Sequence, residues 1–149
     1  MDEHPTTAAP SVVSLLLCDQ VIDDKLTGKK SAIGIINTIV AAQIPTTIQQ
    51  MVILASVTEI SGRVELELRL IRDTDNQVLF GGKGTVEAPN PLAVVDLLFA
   101  MHGVHIPEAG QYAFEMLSED ELLARRRFQV RLRPRSGPPG VPPEGAPEA

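Results

Sequence analysis

Apolar and charged side chains alternate without a break through residues 63–70. Val64, Leu66, Leu68 and Leu70 take one parity, and Glu65, Glu67 and Arg69 take the other. A period of two predicts a strand with one buried face and one wetted face. Seven more segments read as strands, with turn chemistry between them. The first is Val12 to Ile22, closed by Asp23-Asp24 and a turn through Gly28-Lys29-Lys30. The second is Ala32 to Ala41, followed by Gln43 to Thr47 around Pro45. The third, Ile48 to Ile60, ends at Ser61-Gly62, a two-residue hairpin signal. After Arg63 to Arg72, the turn Asp73-Thr74-Asp75-Asn76 leads into Gln77 to Glu87, where Gly81, Gly82 and Gly84 suggest a bulge or bend. Gln111 to Leu117 and Leu122 to Arg133 come later, joined by the acidic turn Ser118 to Glu121.

Leu92 to Val104 reads two ways. Asn90 as a cap, Pro91 in a first turn and Gly103 past the end would frame a helix. Val94-Val95 and the run Leu97-Leu98-Phe99 suit a buried strand, so a strand is expected, with a short helical turn admitted after Pro91.

The next nine residues identify the scaffold. Ile106-Pro107-Glu108-Ala109-Gly110-Gln111-Tyr112-Ala113-Phe114 has the spacing of a tyrosine corner. In that motif proline and glycine set the turn, and a tyrosine hydroxyl bonds back to the chain a few residues upstream. Phe114 stands where antibody domains carry their second cysteine. Gly110 and Tyr112 are therefore the expected structural corner, and Tyr112 is the chain's single tyrosine. The predicted fold is all-β, an antiparallel immunoglobulin-like sandwich of seven to eight strands over residues 11–133. Residues 1–10 and 134–149 are expected to be disordered tails, the second rich in proline and glycine, which build neither ladder nor helix.

Leu17-Cys18-Asp19, Gly28-Lys29 and Gly34-Ile35-Ile36 near the start, with Ile106-Pro107, Gly110, Tyr112, Phe114, Leu122-Leu123 and Phe128-Gln129-Val130 near the end, carry a resemblance. Over about residues 15 to 132 the chain resembles an uncharacterised bacterial family of small stand-alone proteins, catalogued only as a domain of unknown function. The resemblance implies a β-sandwich and brings no activity with it. Similar proteins tend to have an Asp-Gly hairpin where this chain has Glu119-Asp120-Glu121.

Composition narrows the class. Of 149 residues 44% are hydrophobic and 3% aromatic, so Val, Ile and Leu must fill the core. The net charge of −6 and the shortage of aromatics for base stacking speak against a nucleic-acid partner. Cys18 is the only cysteine, which excludes an internal disulfide and suits a reducing, cytoplasmic compartment. The apolar run ending at Cys18 lacks the basic start of a lipoprotein signal and is too short to span a bilayer, so no membrane partner is expected.

Candidate chemistry is sparse. Phe80 to Thr85 lacks the spacing and the following helix of a phosphate loop. On a regular strand, His102 and His105 would point to opposite faces, and no metal or cofactor is expected. Asp73 and Asp75 share a turn, and antiparallel strands would bring them close to His105 and Glu108, a candidate loop for a small ligand or ion. Asp and Asn are equally the ordinary residues of tight turns. Arg125, Arg127, Arg131 and Arg133 share a parity opposite Phe128, Val130 and Leu132, a cationic stripe able to hold an acidic partner or simply to guard a terminal strand. A hairpin centred on Asp120 would set Arg125 opposite Glu115, and Arg126 falls on the inward parity. Ser14, Cys18 and Asp19 have no histidine in the same strand, and a cysteine in an apolar run has low reactivity. The expected role is a non-catalytic module that binds another protein, with a ligand or ion binder using Asp73, Asp75 and Glu108 as the alternative.

Overall fold

The computed structural model describes residues 8–134, so residues 1–7 and 135–149 of the expected tails, His4 and Arg135 among them, lie outside the described residues. Nine strands follow one another: β1 (Ser11–Asp23), β2 (Lys30–Ile35), β3 (Thr38–Ala41), β4 (Thr46–Thr58), β5 (Arg63–Arg72), β6 (Gln77–Glu87), β7 (Val95–Ile106), β8 (Gly110–Ser118) and β9 (Glu121–Leu132). They form a four-stranded sheet in the order β2-β1-β4-β7 and a five-stranded sheet in the order β3-β9-β8-β5-β6. The fold is an immunoglobulin-like sandwich, with ladders that are antiparallel apart from one. The exception is β3, which pairs parallel to β9 from Thr38↔Gln129 to Ala41↔Leu132.

Two expectations need correction. The segment Ala32 to Ala41 is two strands, because the chain leaves one sheet and joins the other at Ile36-Asn37. There the Ile36 N–H still donates to Leu17 (2.7 Å), while the Asn37 carbonyl already accepts from Gln129 (3.0 Å). This division raises the count to nine. Ser61-Gly62 closes no hairpin either: β4 and β5 belong to different sheets, and the turn carries the chain across the sandwich. Glu59 and Gly62 both adopt positive φ, and Ile60 between them is fully buried. Residues 92–103 resolve as strand from Val95 onward, preceded by a turn in which the Asn90 side chain accepts from the Leu92 N–H (2.9 Å).

The alternation on β5 does what its period implies. Leu66, Leu68 and Leu70 are buried while Glu65 is exposed. Each such leucine contributes about 1.5–3 kcal/mol by leaving water. Opposite them, a column of rings fills the centre: Tyr112 stacks on Phe128 and Phe128 on Phe114, with centroids 5.7 and 5.6 Å apart. The Tyr112 hydroxyl donates to the Glu108 carbonyl at 2.5 Å, closing the corner, and Phe114 lies fully buried at the position of the missing cysteine. Burial pushes the Tyr112 phenol above its ordinary pKa, which keeps it a donor.

At the opposite pole the β8–β9 turn places Glu119 and Asp120 at φ 48° and 66°. Two left-handed central residues make a type I′ hairpin, the shape that Asn-Gly or Asp-Gly adopts with least strain. Pro10, just ahead of β1, lines a shallow cavity with Ser118, Glu119 and Glu121 at this pole. β9 ends at the other pole, where the Arg133 N–H donates to Ala41 (2.7 Å).

Replacing Tyr112 by Phe removes one buried hydroxyl bond and should cost about 0.5–1.5 kcal/mol, read as a lower denaturation midpoint at unchanged slope. The double change Glu119→Asn with Asp120→Gly should add about 1 kcal/mol of stability through relief of left-handed strain, read as a higher midpoint, and no rise would contradict that backbone.

Candidate functional site

β6 and β7 are edge strands of different sheets and lie on the same flank of the sandwich. Directly opposite residues of a ladder share a face. The partners of buried Leu70, Leu68 and Leu66 on β6 are Phe80, Gly82 and Gly84, which therefore face the interior. Two of those three positions carry no side chain. The space they leave is a groove between the sheets, with cavities of about 280 and 270 Å³ along it. Leu68, Phe80, Phe99 and Met101 line the first, and Leu70, Leu79, His102 and His105 help to line the second. A Cβ at Gly82 or Gly84 would meet no atom within 4 Å.

The four sheet edges are not equally guarded. β3 is four residues long. β2 carries Lys30 and a left-handed Gly34, and β6 carries Lys83. Short length, lysine and local twist are the usual protections against pairing with another chain. On β7 the stretch Val95 to His102 has no Lys, Arg, Pro or Gly and one acid, Asp96. It is a long, regular edge of mostly apolar residues, and it flanks the groove.

Gly103 ends that regular stretch with φ 65°. A left-handed residue shifts the phase of a strand, so Met101 and Val104 are both buried while His102 and His105 are both exposed. The expectation that the two histidines point apart fails for this reason, and both line one cavity. Among the described residues no group of three or more His, Cys, Asp or Glu is placed to hold a metal ion.

Asp73, Asp75 and Glu108 lie at the corner pole, where they face cations of the chain itself. The Arg72 guanidinium meets Glu108 at 2.6 Å and Asp75 at 3.1 Å, and it also donates to the Gln77 side chain. Arg127 lies 3.4 Å from Asp73. The Arg72 contact, with the Gln77 N–H, holds the Asp75 carboxyl below its ordinary pKa, and Asp75 in turn pushes Arg72 upward. His105 pairs with Thr47 on the neighbouring strand and lines the groove.

The stripe on β9 divides. Arg125 lies opposite Glu115, because a bulge at Leu123 shifts the ladder by one residue past the two-residue turn, and it reaches the carboxylate at 2.6 Å. Arg69 approaches the same carboxylate from the other side at 3.8 Å, so the nearly buried Glu115 sits between two arginines on flanking strands. Arg131 and Arg133 are exposed. Arg126, on the inward parity, escapes between the sheets and donates to the Asn37 side chain (2.7 Å) where the chain crosses over. Leu132, expected to face inward, is 53% exposed because the sandwich ends there. Cys18 is fully buried, and burial followed by the Asp19 charge pushes its thiol pKa up.

Residues 13–131 match the profile of a family of unknown function, DUF6941. The chain belongs to this family. The DUF6941 match runs from β1 to β9, so the corner, the groove and the β7 edge are all within it. An immunoglobulin-like protein from Pseudomonas aeruginosa is similar at 15% identity, with 85% of this chain and 100% of that chain covered and a TM-score of 0.45. A β-glucosidase from Kluyveromyces marxianus is similar at 15% identity and a TM-score of 0.41, over 62% of this chain and 14% of the enzyme. None of the curated proteins matches.

Sequence reasoning missed the groove. Its signal was Gly82 and Gly84 on one parity, which acquires meaning only once the β5–β6 register sets them against leucines.

A depressed acid pKa stabilises the fold above the unfolded value, about 3.9, and the gain disappears as pH falls through the folded value. Asp75→Asn should therefore lower the midpoint at neutral pH and shrink the acid-side loss of stability below about pH 4. Glu115→Gln should cost about 1–2 kcal/mol, because its two arginines, each about one-third exposed, are only partly screened by water.

Proposed function

We propose that this chain is a non-catalytic protein-binding module of the cytosol that takes an extended segment of another protein along β7. The groove opened by Gly82 and Gly84 beside an unguarded edge carries this reading. Strand addition needs both parts. Free backbone groups on an edge supply affinity, and a neighbouring cleft takes alternate side chains and supplies selectivity. The cleft is walled by Phe80, Leu68, Phe99 and Met101, so the fitting segment places an apolar residue at every second position. The sole cysteine, buried and raised in pKa, asks for no oxidising surroundings.

Gly82→Leu tests the site without cutting into the core. The residue is a strand glycine with open space ahead of it, so the larger side chain should fill the cleft and leave the stability unchanged or about 0.5–1 kcal/mol higher. Peptides selected from a displayed library of random 12-residue segments should bind the natural protein, slow amide exchange over 95–102 and lose binding to Gly82→Leu. Selected peptides that bind both proteins equally, or that leave the β7 amides unprotected, would refute it.

A further inference from the structure

The outward surface of the β2-β1-β4-β7 sheet meets the groove only along its β7 edge, at Leu98 and Ala100, and its centre is apolar. Facing partners across the three ladders define its rows. Ile35, Cys18, Val52 and Ala100 form one row, and Leu16, Leu54 and Leu98 form the next. The opposite parity of the same strands (Leu17, Met51, Ile53 and Ala55) fills the core, so these rows point away from it. Ile35 is 53% exposed and Leu98 42%, whereas Cys18 and Val52 between them are buried, so the accessible apolar surface is that of Ile35, Leu16, Leu54, Leu98 and Ala100. Ser14, Ser56 and Asp96 border the rows at one end, with the Ser56 hydroxyl donating to Asp96 at 2.6 Å. Gln20 and Gln50 border them at the other end, both exposed.

We infer that two copies of this chain pair through this face, sheet against sheet. Three features select a second copy. An apolar centre with a polar rim is the anatomy of a protein interface. The two central rows carry no formal charge, so copies of a chain with net charge −6 meet there without opposing like charges. The other sheet's outward face, with the Arg69–Glu115–Arg125 ladder, would have to desolvate those groups to do the same. The central rows also offer no cluster of one sign by which a charged partner would be recognised. Size agrees as well. Four strands about 4.8 Å apart, about ten residues long at about 3.4 Å each, present about 650 Å². That is near the ~800 Å² per partner of a standard interface and above the ~400 Å² of incidental contacts.

Relief on the face suits a two-fold axis running along the strands between β1 and β4. Such an axis lays β2 of one copy over β7 of the other. Projecting Ile35 then meets the low ground at Ala100, and the contact repeats on the other side of the axis.

Sedimentation equilibrium of the full chain in reducing buffer, from about 1 to about 500 µM, should show a reversible approach to twice the chain mass. Ile35→Lys and Leu98→Lys should each weaken the dimer at least about tenfold, and together they should leave monomer. Both positions are surface-exposed, so circular dichroism and the denaturation midpoint should remain native. Arg127→Glu on the other sheet should leave the dimer intact. Because Ile35 lies on the edge strand opposite β7, its effect is separate from any loss of peptide binding. A single-chain mass at every concentration, or a dimer indifferent to the double substitution, would overturn the inference.

Discussion

The stacked rings of Tyr112, Phe128 and Phe114 form the centre of the five-stranded sheet's core face, against which the other sheet packs without a disulfide. A domain whose sheets are tied by a covalent bond tolerates slack between its layers, whereas this one has only contact. Tyr112 serves two functions at once. Its ring joins the column, and its hydroxyl fixes the loop that delivers β8 into the centre of the five-stranded sheet. The registers of β5 and β9 against β8 depend on that placement, and with them the positions of Arg69, Glu115 and Arg125.

Much of this was legible in the chain. The corner spacing named the scaffold, and the alternation on β5 named its core face. A hairpin centred on Asp120 paired Arg125 with Glu115, and the pairing holds although the turn is the two residues Glu119-Asp120, because a bulge at Leu123 shifts the ladder by one. The features that escaped were those that depend on long-range choice. Ile36-Asn37 changes sheets within a segment rich in Ile, Val and Thr, because Gln129 and Leu17, both remote in sequence, claim its backbone. The His102–His105 relation failed through one left-handed glycine, which cancels the parity rule locally. Of the candidate loop, the common pole was legible from strand direction, but not that Arg72 would fill it.

Gly82 and Gly84 set stability against access. A sandwich maximising burial would place aliphatic side chains opposite Leu68 and Leu66 and seal that flank. Leaving them out exposes apolar walls and forgoes packing, and the fold withstands this because the ring column and the β1–β4–β7 ladders stand elsewhere. The unguarded edge of β7 incurs a similar hazard, and three other edges remain protected. The two departures from good packing are adjacent, which is how a site differs from scattered imperfection.

The two ends of the domain leave from opposite poles, Pro10 beside the β8–β9 turn and Arg133 beside Ala41. A force pulling those ends apart would run along the strands. The hydrogen bonds of β9 with β3 and β8 would then share the load in shear and yield together, rather than peel open singly as in a zipper. A module built this way resists stretching along its long axis far better than it resists prying at its open flank.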